Sequence, residues 1–179
     1  EAWVVSNTQG RVLRFDALDG TFLGEQVTGA GRPSGIVVEA DGDVILTDDS
    51  ASSGNDQVFL YPADGSSPRL LIAGGLGTPY QISRLFDGNY ALANFGANQI
   101  QVFNDGAPNL GAVTIGVGPN GNYNPRGMQP LRNGNWLVSA RNGGGVAEVD
   151  PSNATSAFVQ THAAGSTFRS ITRACFPQN

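Results

Sequence analysis

Apolar positions in this chain come in short runs, and glycine with aspartate or asparagine ends almost every one. Gln99-Ile100-Gln101-Val102-Phe103 alternates polar and apolar residues, the mark of a strand with one buried face. Tyr80 to Phe86, Asn89 to Ala93, Val44-Ile45-Leu46, Trp136-Leu137-Val138, Val58 to Tyr61 and Val146 to Val149 read as further strands. Asp41-Gly42, Asp87-Gly88 and Asn133-Gly134 separate first from second strands. Glycine there supplies the positive φ that two-residue hairpin loops require. Asn104-Asp105-Gly106, Asp64-Gly65 and Asp150-Pro151-Ser152-Asn153 mark the next turns. A weaker strand is predicted near Val113 to Val117. No stretch keeps helical periodicity over three turns, so the pattern predicts an all-β protein.

The runs recur as a unit. Gly31-Arg32-Pro33-Ser34-Gly35-Ile36, Gly77-Thr78-Pro79-Tyr80-Gln81-Ile82, Tyr123-Asn124-Pro125-Arg126-Gly127-Met128 and Ser166-Thr167-Phe168-Arg169-Ser170-Ile171 occupy the same place in four copies. The anchors are spaced by 46, 46 and 43 residues, and by 44 when counted through the termini. A fixed period in this range is the signature of stacked supersecondary units. The chain opens on a second strand, Ala2 to Val5, then a third, Gly10 to Asp16, and the turn Leu18-Asp19-Gly20. It closes on a first strand, Arg169 to Phe176. One unit therefore takes its first strand from the C-terminus, which removes an open sheet edge.

The string Gly77-Thr78-Pro79, then Asp87-Gly88-Asn89-Tyr90-Ala91-Leu92-Ala93-Asn94, then Asn98-Gln99-Ile100-Gln101-Val102-Phe103 resembles the NHL-type β-propeller repeat. The likeness runs along essentially the whole chain and fits best from Gly77 to Phe103. It departs at an insertion, Ser50 to Gly54, and at Phe168, which stands where the other copies have proline. The resemblance implies a β-propeller with four blades of four antiparallel strands per chain, one blade closed by pairing of the N- and C-terminal segments. The blades run over 168–179 with 1–30, then 31–76, 77–122 and 123–167. Three arrangements fit: a closed four-bladed ring, two chains completing an eight-bladed ring, or four blades of a longer repeat protein.

Composition narrows the partners. The 179 residues carry a net charge of −5 with no lysine, all ten basic residues being arginine. That balance argues against nonspecific binding to nucleic acid or anionic membranes. No apolar run approaches the roughly 20 residues of a membrane-spanning helix, so no membrane insertion is expected. The lone cysteine, Cys175, excludes an internal disulfide. No signal peptide or initiator methionine is present, which reads as a processed chain or a segment of a longer one.

Candidate chemistry is sparse. The residues just after each anchor, Ser34, Tyr80, Arg126 and Arg169, converge on one annulus near the ring axis. Two arginines and a tyrosine there offer forked donors and a hydroxyl to an anion or carboxylate. The plainer alternative pairs these arginines with blade carbonyls or with acids such as Asp41, Asp48 and Asp87. Asp48, Asp49 and Asp56 flank the inserted loop and are candidate calcium ligands, although no calcium-loop spacing is present. Otherwise no cofactor is expected. The ends of the second strands, Ser6 or Asn7, Asp48, Asn94 and Ala140, suit backbone bonding at blade junctions. His162 is the single histidine, and no general acid–base pair emerges from spacing. Trp3, Trp136, Tyr90 and Phe95 are expected to pack between blades.

The expected function is a noncatalytic module, secreted or at the cell surface, that binds a protein, a glycan or another copy of itself. Resemblance to related propellers leaves two alternatives, a metal-assisted lactonase or lyase acting at the channel and a structural repeat unit of a larger extracellular assembly.

Overall fold

A computed structural model describes residues 1–49, 56–114, 123–141, 145–153 and 158–163. Fifteen strands and no helix occur among them. They form four antiparallel sheets in chain order. The first holds β1 (Ala2–Ser6), β2 (Arg11–Phe15) and β3 (Phe22–Val27). The second holds β4 (Pro33–Val38), β5 (Val44–Asp48), β6 (Gln57–Tyr61) and β7 (Arg69–Ile72). The third holds β8 (Pro79–Arg84), β9 (Tyr90–Asn94), β10 (Gln99–Asn104) and β11 (Ala107–Thr114). The fourth holds β12 (Pro125–Pro130), β13 (Trp136–Ala140), β14 (Val146–Val149) and β15 (Phe158–Ala163). Each sheet is a meander in which neighbours in sequence are neighbours in space. The expected closing strand, Arg169 to Phe176, lies outside the described residues, and so does Cys175.

The hairpin turns fall where the Asp-Gly and Asn-Gly pairs stand. Gly42, Gly88 and Gly134 have φ of 94°, 87° and 91°, a region an L side chain enters only at a cost. Asp87 Oδ1 accepts the Asn89 N–H at 3.0 Å, and Asn133 Oδ1 accepts that of Asn135 at 3.1 Å. These Asx turns close each hairpin locally. The fourth strand of the third sheet begins earlier than its apolar residues suggest. Asn104 Oδ1 accepts the N–H groups of both Gly106 (3.0 Å) and Ala107 (2.8 Å). That turn sends the chain straight back into pairing at Ala107, through Pro108 and Asn109, which read as loop residues.

Sheets pack face to face, so the core is a series of layers rather than one centre. Between the first and second sheets lie Val12, Val27, Val44 and Leu46. Between the second and third lie Ile45, Val58, Ile82, Leu92 and Phe103. Between the third and fourth lie Ala91, Ala93, Ile100, Met128 and Val138. Alternation along β5 sends Ile45 to one side and Val44 and Leu46 to the other, and β9 divides in the same way. A strand buried on both faces reads as a continuous apolar run, which is why these second strands show no polar face. Tyr90 and Trp136 sit in these layers, as expected of blade packing. At the rim, Tyr90 donates its hydroxyl to Glu39 at 2.7 Å. Burial, reinforced by that carboxylate, pushes the phenol up to about 12.

Polar groups tie each sheet to the next. Asn7 Nδ2 donates to the carbonyls of Arg32 (3.2 Å) and Pro33 (3.0 Å). Asp56 Oδ2 accepts the Thr78 N–H at 2.7 Å, and Asn98 Oδ1 accepts the Asn124 N–H at 2.7 Å. In every case the loop between second and third strands reaches the residues entering the next sheet. Thr78 and Asn124 precede the anchor prolines with φ of 54° and 48°, an uncommon region for non-glycine residues. Within a sheet, Asp48 accepts the N–H groups of Gly31 (3.1 Å) and Arg32 (2.6 Å). Asn94, 1 % exposed, takes that of Gly77 at 2.7 Å. Replacing Asn94 by alanine removes that acceptor and is expected to lower stability by about 1–3 kcal/mol. An unchanged urea midpoint would show that the contact contributes nothing.

Candidate functional site

The second residue of each described first strand borders one cavity. Ser34 on β4, Tyr80 on β8 and Arg126 on β12 line a single cavity of about 440 Å³. Asn7, Arg32 and Asp49 complete its polar wall, with Val5 and Pro33 beside them. Arg169, the fourth residue of the expected annulus, lies outside the described residues.

Each of the three residues is placed by its strand's contact with the next. Ser34 Oγ donates to the Pro79 carbonyl at 2.7 Å, and Thr47 Oγ1 to that of Tyr80 at 2.9 Å. The two hydroxyls are 2.8 Å apart, and Thr47 also accepts the Gly35 N–H at 2.6 Å. Ser34 is thus occupied in joining β4 to β8. Tyr80 meets Phe95 edge-on, with ring centroids 5.5 Å apart. Arg126 lies over both rings, 4.7 Å from the Tyr80 centroid and 5.5 Å from that of Phe95. Its Nη2 donates to the Tyr80 hydroxyl at 3.3 Å. Arg141 lies 5.5 Å from the Phe95 centroid. Arg126 therefore stacks on aromatic rings rather than pairing with Asp41, Asp48 or Asp87, and a delocalised guanidinium suits that seat. Phe95 serves as its platform, so its contact between sheets is with two arginines, Arg126 on β12 and Arg141 directly after β13. The signal for that contact is available in hindsight, since Phe95 directly follows the end of β9.

The three acids around the insertion differ in their surroundings. Asp48 and Asp56 accept backbone N–H groups. Asp49 is 8 % exposed, and its Oδ1 has no hydrogen-bond partner among the described residues. Its backbone N–H donates to the Arg32 carbonyl at 3.0 Å, which holds it at the cavity wall. Burial raises the pKa of its carboxyl, the charge of Asp56 adds to that, and Arg32 opposes both. Asp49 is the one carboxylate among the described residues of the wall. The cavity thus combines two guanidiniums, a phenol and one buried acid, a set fitted to holding a polar ligand. Among the described residues of its wall no histidine or second carboxylate stands opposite Asp49.

A second concavity, of about 610 Å³, opens between the third and fourth sheets. Leu85, Phe86, Val102, Leu110, Leu131 and Trp136 are the large apolar residues of its wall, with Asp87 and Asn89 at the turn between β8 and β9. Phe86 is 65 % exposed and Leu110 48 %.

No protein-family model and no curated protein sequence matches this chain. Solved structures do match. A chain of a nidogen–laminin complex superposes with a TM-score of 0.69 at 19 % identity, over 84 % of this chain and 55 % of that one. A gluconolactonase from Xanthomonas campestris gives 0.64 at 21 %, over 89 % and 58 %. Virginiamycin B lyase from Staphylococcus aureus gives 0.63 at 14 %, over 84 % and 49 %. These are β-propellers, and the four sheets described above have that fold. The chain spans about half the length of the structures it matches. The neighbours include two enzymes and a member of a protein–protein complex, so the fold leaves the function open.

Proposed function

We propose that this chain is a noncatalytic propeller module of the NHL type that binds a protein partner outside the cell. The partner lays an apolar side chain into the cleft between the third and fourth sheets. The observation that carries this reading is the cleft itself, apolar across most of its wall, with Phe86 and Leu110 exposed. Large apolar side chains left in water beside a concavity mark a docking site more often than an accident of the surface. Asp87 at the edge and a net charge of −5 favour a basic residue next to the anchor. The scarcity of acid–base groups in both concavities supports binding over catalysis. As part of the same reading, residues 168–179 supply the first strand of the first sheet, giving four blades of four strands.

Panning a random peptide library against the immobilised chain tests the docking site. Enriched peptides are expected to share an aromatic or branched apolar residue beside arginine or lysine. They are expected to lose binding, by about tenfold or more, to the Phe86→Ser, Leu110→Ser double variant. Peptides that bind the variant equally well would remove the cleft from the function.

A further inference from the structure

The cavity at Arg126 holds opposite charges that do not satisfy one another. Arg126 Nε is buried and has no hydrogen-bond partner among the described residues, although Nη2 reaches Tyr80. The nine-tenths buried Asp49 lines the same cavity, and its Oδ1 is likewise buried and without a partner among them. A buried polar atom left unbonded costs free energy, and a charged one costs more. Such a deficit at a donor and an acceptor beside one cavity is relieved when the two side chains turn toward a bound ligand. A ligand with only a carboxylate would satisfy Arg126 and be repelled by Asp49. One with only an amine would do the reverse.

We propose that the cavity formed by Arg126, Arg32, Tyr80 and Asp49 binds a zwitterion of the amino-acid type, its carboxylate on Arg126 and its ammonium on Asp49. The Tyr80 and Phe95 rings, set edge to face, hold the Arg126 guanidinium against them. A fixed fork loses little freedom on gripping a carboxylate. Arg32 lines the same wall and adds a second positive charge. Val5 and Pro33 give an apolar side chain somewhere to lie. The volume of about 440 Å³ suits a small ligand. This site is separate from the interblade cleft, and neither depends on the other.

Calorimetric titration of the intact chain with three matched probes tests the assignment. L-phenylalanine carries both charges, hydrocinnamate lacks the ammonium, and phenethylamine lacks the carboxylate. L-phenylalanine is expected to bind at least about tenfold more tightly than either. In Asp49→Asn, hydrocinnamate binding is expected to persist while the advantage of L-phenylalanine disappears. In Arg126→Gln, both carboxylate probes are expected to weaken about tenfold or more. The wild-type comparison stands even if a variant fails to fold. Hydrocinnamate binding as tightly as L-phenylalanine would overturn the proposal, as would the absence of heat from all three at millimolar concentration.

Discussion

Replacing Gly35 by alanine is expected to unfold the protein or to lower its stability by about 3 kcal/mol or more. Gly35 lies in β4 where that strand crosses β8. A Cβ there would stand 2.1 Å from the Tyr80 carbonyl oxygen, 2.9 Å from the Ile82 nitrogen and 3.0 Å from the Gln81 Cα. All three are backbone atoms, so no side chain can swing aside. Nor can β8 retreat easily, because it is paired with β9 and hydrogen-bonded from Ser83 to the Met128 carbonyl at 2.7 Å. One methyl group must therefore push two sheets apart. It would also part the Ser34 and Thr47 bonds that join them. Gly74 is the control, since a Cβ there meets nothing within 4 Å, and its alanine variant is expected to melt like the wild type. Equal urea midpoints for the two variants would show that β4 and β8 do not approach this closely in solution.

Deleting residues 169–179 is expected to abolish cooperative unfolding, if those residues complete the first sheet as proposed. The described part of that sheet has three strands, against four in each of the others. β1 is its edge strand, and Trp3 and Val5 on it are only partly buried against Val12 and Val44. Removing the partner of β1 would expose a row of backbone donors and acceptors together with apolar surface, a combination that invites aggregation. Calorimetry of the shortened chain decides it. A broad transition without a sharp heat peak, or precipitation, is the expected result. A single cooperative transition at the original temperature would rule out closure by the C-terminal segment.

The parts of the fold that sequence shows are the parts governed by local chemistry. Asp87-Gly88 and Asn133-Gly134 announce their turns because the carboxylate or amide and the positive-φ glycine act within three residues of each other. The 46-residue spacing of Pro33, Pro79 and Pro125 announces the repeat by recurrence of the same local string. Contacts between sheets are another matter. Thr47 and Gly35 look unremarkable in the chain, since their meaning lies in the carbonyls of Pro79 and Tyr80 on the next sheet. Arg126 was legible as a cavity residue from its register after Pro125. Its seat on Tyr80 and Phe95 was not, because stacking across two sheets leaves no local spacing to read. Asp49 sits beside Asp48 in sequence, yet Asp48 bonds two N–H groups while Asp49 faces the cavity. Alternation along an extended chain turns the two side chains to opposite sides, and spacing alone did not say which side held the donors.

One kind of bond recurs at each described junction, from the loop after a second strand to the entrance of the next sheet. Asn7, Asp56 and Asn98 act on Arg32, Thr78 and Asn124, and at the third junction Asn124 Nδ2 also donates back to the Phe95 carbonyl at 2.9 Å. Such a junction is heterologous, like a head-to-tail subunit contact, with a different surface on each side. A heterologous contact holds no count of its copies. Each junction is complete once the next unit is present, whether it is the second or the sixth. Inserting or excising one whole unit of 46 residues would leave every remaining junction chemically intact. The number of units in this architecture can therefore drift by duplication or loss of single units.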